Sequence, residues 1–193
     1  MENNKWVVVR IDGKIAAIST DYVELTIIAS RLAQQKTISH KMVCAETVDF
    51  EEVWKLRQTA KWEDLIISGT EFQKKVWRRL FDLTHDKDGN LLPPRMICYS
   101  DFAELCQNKA GVRAVAHAIS LNSIAVVIPC HLVVPKETID KIRDIRKKAE
   151  STIFKGEDVC INSLLRKKGI DFGEYALGRK IKRELIQKEH SQQ

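Results

Sequence analysis

The pair Cys130-His131, preceded by the run Ile124-Ala125-Val126-Val127-Ile128 and by Pro129, holds the most reactive chemistry in this sequence. A thiol attacks carbon as its thiolate. With an unperturbed pKa of about 8.5, it needs a base, a positive neighbour or a helix N-terminus to react at neutral pH. The adjacent histidine is a candidate base. Neighbouring side chains of an extended chain point to opposite faces, so ring and sulfur could meet only through a turn or a bridging water. A lone Cys-His pair is more often an inert buried cysteine beside an ordinary histidine, and on two residues alone both readings stand. Cys44, Cys98, Cys106 and Cys160 read as core residues. An odd number of cysteines without a CxxC pair points to a reducing compartment and no disulfide framework. No other Cys or His lie at close ligand spacing, so no metal site is expected.

The apolar run Ile124–Ile128 is strand length, far short of the roughly 18–20 residues that cross a membrane. It reads as a buried segment delivering Pro129 and Cys130 to the core. Ahead of it, Ser100 can cap a helix with Phe102, Ala103 and Leu105 inward. A polar turn at Gln107-Asn108-Lys109 then leads to a helix from about Gly111 to Leu121, with Val112, Val115, Ala116 and Ile119 apolar. That pattern fits a helix-turn-helix or a plain helical hairpin. Thr70 caps a helix carrying Phe72, Val76, Trp77 and Leu80, and residues 86–94 read as loop.

Residues 6–19 read as a hairpin about Asp12-Gly13. A helix follows Asp21 over Val23, Leu25, Ile27, Ile28 and Leu32, then a short strand at Val43-Cys44-Ala45. Val53, Trp54, Leu56 and Trp62 lie in a polar stretch with no element assigned. After the Cys-His pair, Ile139, Ile142, Ile145, Ala149 and Ile153 mark one amphipathic helix. Val159, Ile161, Leu164 and Leu165, closed by Gly169, mark another, and a last helix runs from Gly178 to Glu189. The chain therefore divides into a small α/β module at 1–68 and a mostly α domain at 69–193.

Of the 193 residues, 44% are hydrophobic and 30% charged, which excludes extensive disorder and supplies a core. The net charge of +6 suits a polyanion partner. No apolar signal region follows Met1-Glu2-Asn3-Asn4-Lys5, so secretion is not expected.

Several spaced motifs together resemble the 6-O-alkylguanine-DNA alkyltransferases, the methylated-DNA–protein-cysteine methyltransferases. Gly69 to Trp77 resembles that family's GT-x-FQ-x-x-VW opening, Ile97-Cys98-Tyr99 its I/V-S-Y step, and Arg113-Ala114-Val115 its RAV segment. Asn122 and Ile128-Pro129-Cys130-His131 resemble its asparagine and IPCH motif. Gly173, Tyr175 and Gly178 resemble its G-x-Y-x-x-G, and Lys182, Leu185 and Glu189 its closing helix. The likeness covers about 69–134 and 172–189.

The resemblance implies a C-terminal domain of winged helix-turn-helix type that repairs double-stranded DNA containing alkylated guanine, with no cofactor. Cys130 would take the alkyl group, His131 would accept the thiol proton through a water, and Glu189 would orient and charge-stabilise the histidine. Tyr99 would donate toward the guanine ring as charge develops. Arg113 would replace a base flipped from the stack, and Ala110, Gly111 and Ala114, with Ser100 nearby, would approach the minor groove. Asn122 would tie the second helix to the active-site turn. Pro129, Val133, Gly173 and Tyr175 would line the pocket and its covering loop. A monomer in the cytoplasm, or in the nucleus of a eukaryote, is expected.

Two departures stand out. Leu132 replaces the family's arginine after Cys-His, removing several donors. Residues 136–171 form an insertion with ten basic and seven acidic side chains where the family has a handful of residues. Two helices packed beside the site are expected there, serving phosphate contact, a lid or neither. The competing readings are a non-catalytic sensor of alkylated DNA or a helix-turn-helix regulator, against which the retained cysteine argues, and a cysteine hydrolase, in which a basic helix-turn-helix has no place.

Overall fold

The computed structural model describes residues 5–20, 25, 42–152 and 169–191, with side chains given as far as Lys147 in the helix that ends at Thr152. Helices and sheets are mixed. The chain forms two compact units, one of residues 1–92 and 114–130, the other of 93–113 and 131–193. It passes between them inside one helix and again at the Cys130–His131 peptide bond.

In the first unit, β1 (Trp6–Ile11) and β2 (Lys14–Ser19) form the expected hairpin. Asp12 and Gly13 take φ 49° and 80°, the positive values a two-residue hairpin turn requires. β3 (Val43–Val48) pairs antiparallel with the other side of β1, giving the order β2-β1-β3. β1 is central, and Val7, Val9 and Ile11 pack with Ala16, Ala17 and Leu25. The helix expected after Asp21 lies, apart from Leu25, outside the described residues.

Next comes α1 (Phe50–Thr59), where no element was expected. Asp49 accepts from Glu52 N and the Glu52 carboxylate accepts from Asp49 N, a reciprocal capping box. Its buried residues Phe50, Val53, Trp54 and Arg57 recur at helical spacing. α2 (Glu71–Phe81) starts with the same device at Thr70 and Gln73. Trp77 Nε1, on its inner face, donates to Ala118 O at 2.8 Å.

In the second unit, β4 (Ile97–Cys98) pairs parallel with β5 (Val133–Val134). α3 (Tyr99–Leu105) follows β4. Its N-cap is Cys98 rather than Ser100, with no side-chain capping bond. Ser100 lies inside the first turn, its Oγ 3.0 Å from Cys98 Sγ and 3.3 Å from Asp101 Oδ1. Leu105, expected inward, is exposed, whereas Phe102 and Ala103 are buried. A turn through Lys109–Gly111 leads to α4 (Val112–Ser120), the helix on which the chain enters the first unit.

The insertion opens with α5 (Lys136–Thr152). Ile139, Ile142 and Ile145 pack with Val134, Ile170, Phe172 and Ile186. Thr138 Oγ1 donates to Asp171 O, and Lys141 Nζ to Gly169 O, so the helix is tied to the returning chain. The second expected insertion helix lies outside the described residues. The chain ends in α6 (Arg179–His190), with Leu185 and Ile186 fully buried. Among the described residues no helix is long and apolar enough to cross a membrane.

Candidate active site

The segment 122–130 folds on the side chain of Asn122. Its Nδ2 donates to Ile128 O at 3.0 Å and to Cys130 Sγ at 3.1 Å, while its Oδ1 accepts from Ile124 N at 3.1 Å. The amide thus joins the end of α4 to the thiol, and its bond to sulfur favours the thiolate over the thiol. Every residue from Ile124 to Cys130 is buried, Pro129 included. This segment is a set of turns rather than a strand. Val127 N bonds to Ala125 O, Ile128 N to Ile124 O and Cys130 N to Ile128 O. Ile18 N donates to Ser123 O at 2.8 Å, fixing the start of the segment on β2.

Cys130–Leu132 form one turn of 3₁₀ helix. The geometry after Cys130 is therefore a turn rather than the extended chain that would place His131 on the opposite face. Within the second unit the His131 ring is fully buried, its Nε2 3.0 Å from Glu189 Oε1, and Glu189 is 6% exposed. A carboxylate held there fixes the ring's orientation and stabilises a positive imidazolium. Glu189 is placed by Leu185 and Ile186, which anchor the same end of α6.

Tyr175 stands edge-on to the His131 ring, with centroids 6.5 Å apart and an interplanar angle of 84°. It belongs to the loop Gly173–Gly178, closed by Gly178 N to Tyr175 O. Glu174 bonds to the Arg179 guanidinium across that loop. This contact holds the Glu174 carboxyl below its usual range and raises Arg179 above its own. Val133 is fully buried in β5.

Lys182, which by resemblance only fits the closing helix, holds a central place. Although 1% exposed, its Nζ donates to Val133 O at 2.8 Å and Glu174 O at 3.2 Å, and lies 5.9 Å from the Tyr99 ring centroid. An ammonium therefore reaches the main chain one residue beyond Leu132. Leu132 itself is fully buried. The signal for Lys182 was present as a lone basic residue on the inward stripe Ile181, Leu185, Ile186.

Tyr99 is half-buried at the start of α3. Ser100, Ala110, Arg113 and Ala114 are exposed, and Gly111 is half-buried. Gly111 has a packing reason as well: a Cβ there would lie 2.4 Å from the Asn108 amide. Among the described residues no group of three or more His, Cys, Asp or Glu is arranged to hold a metal.

Residues 71–150 match the model of the 6-O-methylguanine DNA methyltransferase DNA binding domain. A probable methylated-DNA–protein-cysteine methyltransferase of Acanthamoeba polyphaga mimivirus is 40% identical over 73 residues, 38% of this chain and 44% of that protein. The methylated-DNA–protein-cysteine methyltransferase of Kluyveromyces lactis is 41% identical over 66 residues, 34% of this chain and 31% of that protein. The chain thus spans less than half the length of these curated relatives. In fold, it is similar to the crystal structure of the O6-methylguanine-DNA methyltransferase of Pyrococcus kodakaraensis, with a TM-score of 0.55, 21% identity, and 96% of this chain and 91% of that one covered. The stretch that matches the 6-O-methylguanine DNA methyltransferase DNA binding domain model is the one that holds the Asn122 amide, the Cys130 thiol and the His131 ring.

Proposed function

We propose that the protein repairs alkylated DNA by transferring an alkyl group from the 6-oxygen of guanine to Cys130, once and irreversibly. The observation that carries this reading is a thiol accepting a hydrogen bond from Asn122 whose next residue in the chain is a buried histidine paired with Glu189. His131 takes the thiol proton through a water, and Glu189 stabilises the charge that results. The sulfur attacks the alkyl carbon, an S–C bond forms, and the C–O bond breaks with its electron pair passing to the guanine. Tyr99 donates a hydrogen bond to the ring as that charge develops. The thioether is stable, so one molecule of protein is consumed per lesion.

The target base must leave the duplex. In this reading residues 69–193 form a domain of winged helix-turn-helix type that follows the α/β module of 1–68. α4 enters the minor groove, with Ser100, Ala110, Gly111 and Ala114 along the DNA, and Arg113 fills the vacated stack. Pro129, Val133, Gly173 and Tyr175 shape the alkyl pocket. The protein acts as a monomer wherever its DNA lies, in the cytoplasm or, in a eukaryote, the nucleus.

The test is the intact mass of the protein after incubation with an oligonucleotide containing O6-methylguanine. One added methyl group, mapped to Cys130 and without turnover, is expected. DNA binding with no change in mass would support a sensor instead. A Cys130→Ala variant that still demethylates the DNA would overturn the assignment.

A further inference from the structure

The segment that carries Cys130 is built around a backbone conformation its residue type resists. Val126 has φ 71°, in the left-handed region where a β-branched residue is a true outlier. Val127 N donates to Ala125 O at 2.9 Å, closing a three-residue γ-turn of the strained, positive-φ kind. Glycine or asparagine would enter this conformation with less strain. Among the described residues the other non-glycine positions with positive φ, Asp12 and Gln107, are exposed, whereas Val126 is fully buried.

The γ-turn reverses the chain inside a closed set of contacts. Ile128 N reaches Ile124 O at 3.0 Å, Ile124 N is held by Asn122 Oδ1, and Asn122 Nδ2 is shared between Ile128 O and Cys130 Sγ. If the backbone at Val126 relaxed to negative φ, Ile128 O and Cys130 would move together away from the amide. Strain of this kind persists where the surroundings over-determine it, and it gathers at functional sites. Here the surroundings are the Asn122 hydrogen bonds and the burial of the valine side chain.

We propose that Val126 is a positioning residue: its buried, branched side chain holds the γ-turn that sets the Cys130 sulfur against the Asn122 amide, and with it the aim of the thiol. The proposal rests on the reading of Cys130 as the alkyl acceptor. Two variants separate positioning from general stability. Val126→Ala removes the side chain that holds the turn. Val126→Thr keeps the shape but buries a hydroxyl, which lowers stability by another route. Both lower the melting temperature. In single-turnover transfer from a methylated oligonucleotide, Val126→Ala slows the reaction by about ten- to a hundredfold, the scale of a displacement on the order of 1 Å, with DNA affinity unchanged. Val126→Thr retains the wild-type rate. Rates that follow the melting temperature in both variants would overturn the proposal.

An independent arm reads the Asn122 side-chain amide protons by NMR. They shift in Val126→Ala and keep their wild-type positions in Val126→Thr. Unmoved signals in Val126→Ala would also overturn the proposal. This arm needs no transfer reaction. A wild-type protein that leaves the methyl group on DNA therefore refutes the function proposed above, while the amide signals still decide the role of Val126.

Discussion

Replacing Glu189 by Gln isolates the charge of one atom pair while nearly preserving its shape. His131 is fully buried, Glu189 is 6% exposed, and Nε2 and Oε1 are 3.0 Å apart, so little water is available to replace the lost carboxylate. A hydrogen bond to a charged group contributes about 1.5–3 kcal/mol and a neutral one about 0.5–1.5 kcal/mol. The difference, about 1–1.5 kcal/mol, is realised in the transition state, where the imidazole has taken the thiol proton. At a tenfold change in rate per roughly 1.4 kcal/mol, Glu189→Gln slows transfer roughly five- to twelvefold. Glutamine still accepts from Nε2–H, so the ring stays oriented. Glu189→Ala also removes that acceptor and leaves a void, and is slower than Glu189→Gln and less stable. The assay is single-turnover transfer from a methylated oligonucleotide, read as intact mass, beside thermal unfolding and a DNA-binding isotherm. Affinity for DNA is unchanged in both variants. A Glu189→Gln protein as fast as the wild type would refute the charge-stabilising role, and one as slow as Glu189→Ala would refute the division between charge and orientation.

Three further outcomes are expected. Asn122→Asp keeps the acceptor for Ile124 N but turns a carboxylate oxygen toward Ile128 O and Cys130 Sγ, where an N–H now donates at 3.0 and 3.1 Å. Transfer falls at least about tenfold, with a cost on the order of 1–3 kcal/mol in stability; a wild-type rate would show that donation to sulfur is idle. Removing residues 138–168 and joining the ends is structurally feasible, since the Pro135 ring lies 3.0 Å from where a side chain on Gly173 would begin. The deletion uncovers Ile186 and Phe172 and lowers the melting temperature. It also removes the exposed cations Lys141, Arg143, Arg146 and Lys147, so DNA affinity plotted against salt has a slope shallower by about one phosphate contact or more; an unchanged slope would leave the insertion without a phosphate role. Finally, Asp86 has its carboxyl held below the usual value, first by the Asn90 side chain and then by backbone N–H groups. A depressed carboxyl stabilises the folded loop above its unfolded pKa, and that contribution is lost as pH falls through the folded value. Asn90→Ala moves the Asp86 midpoint upward in an NMR titration; an unmoved midpoint would exclude the side-chain bond as its cause.

What could be read in the sequence depended on whether the deciding physics was local. The hairpin about Asp12-Gly13 and the cap at Thr70 follow from the conformational freedom of turn residues and from orphan N–H groups, and both are present. α1 carries an equally local signal: Asp49 and Glu52 are a capping-box pair, and Phe50, Val53, Trp54 and Arg57 keep one face. The polar residues between them masked the period. Ser100 shows the opposite case. It is a good capping residue by type, but β4 feeds straight into α3, and the strand's last residue, Cys98, takes the N-cap position. Pairing between β4 and β5 joins residues some 36 positions apart, and no local pattern reveals it.

For the candidate site, the reactive pair and its partners were legible only as a spaced set, because each residue alone has an ordinary structural explanation. What the spacing could not convey is how the set is held. A run of five apolar residues is strand length and reads as a buried segment, yet buried β-branched side chains can stabilise a kink that their intrinsic preferences oppose. The same burial that makes Ile124–Ile128 look like a simple core segment pins Val126 at positive φ and lets one asparagine amide reach both a carbonyl and a thiol. Lys182 follows the same logic. Its charge marks it for solvent, but the carbonyls of Val133 and Glu174 supply acceptors that make burial tolerable. The cation that reaches this part of the main chain is therefore delivered from α6, not from the turn that carries Leu132.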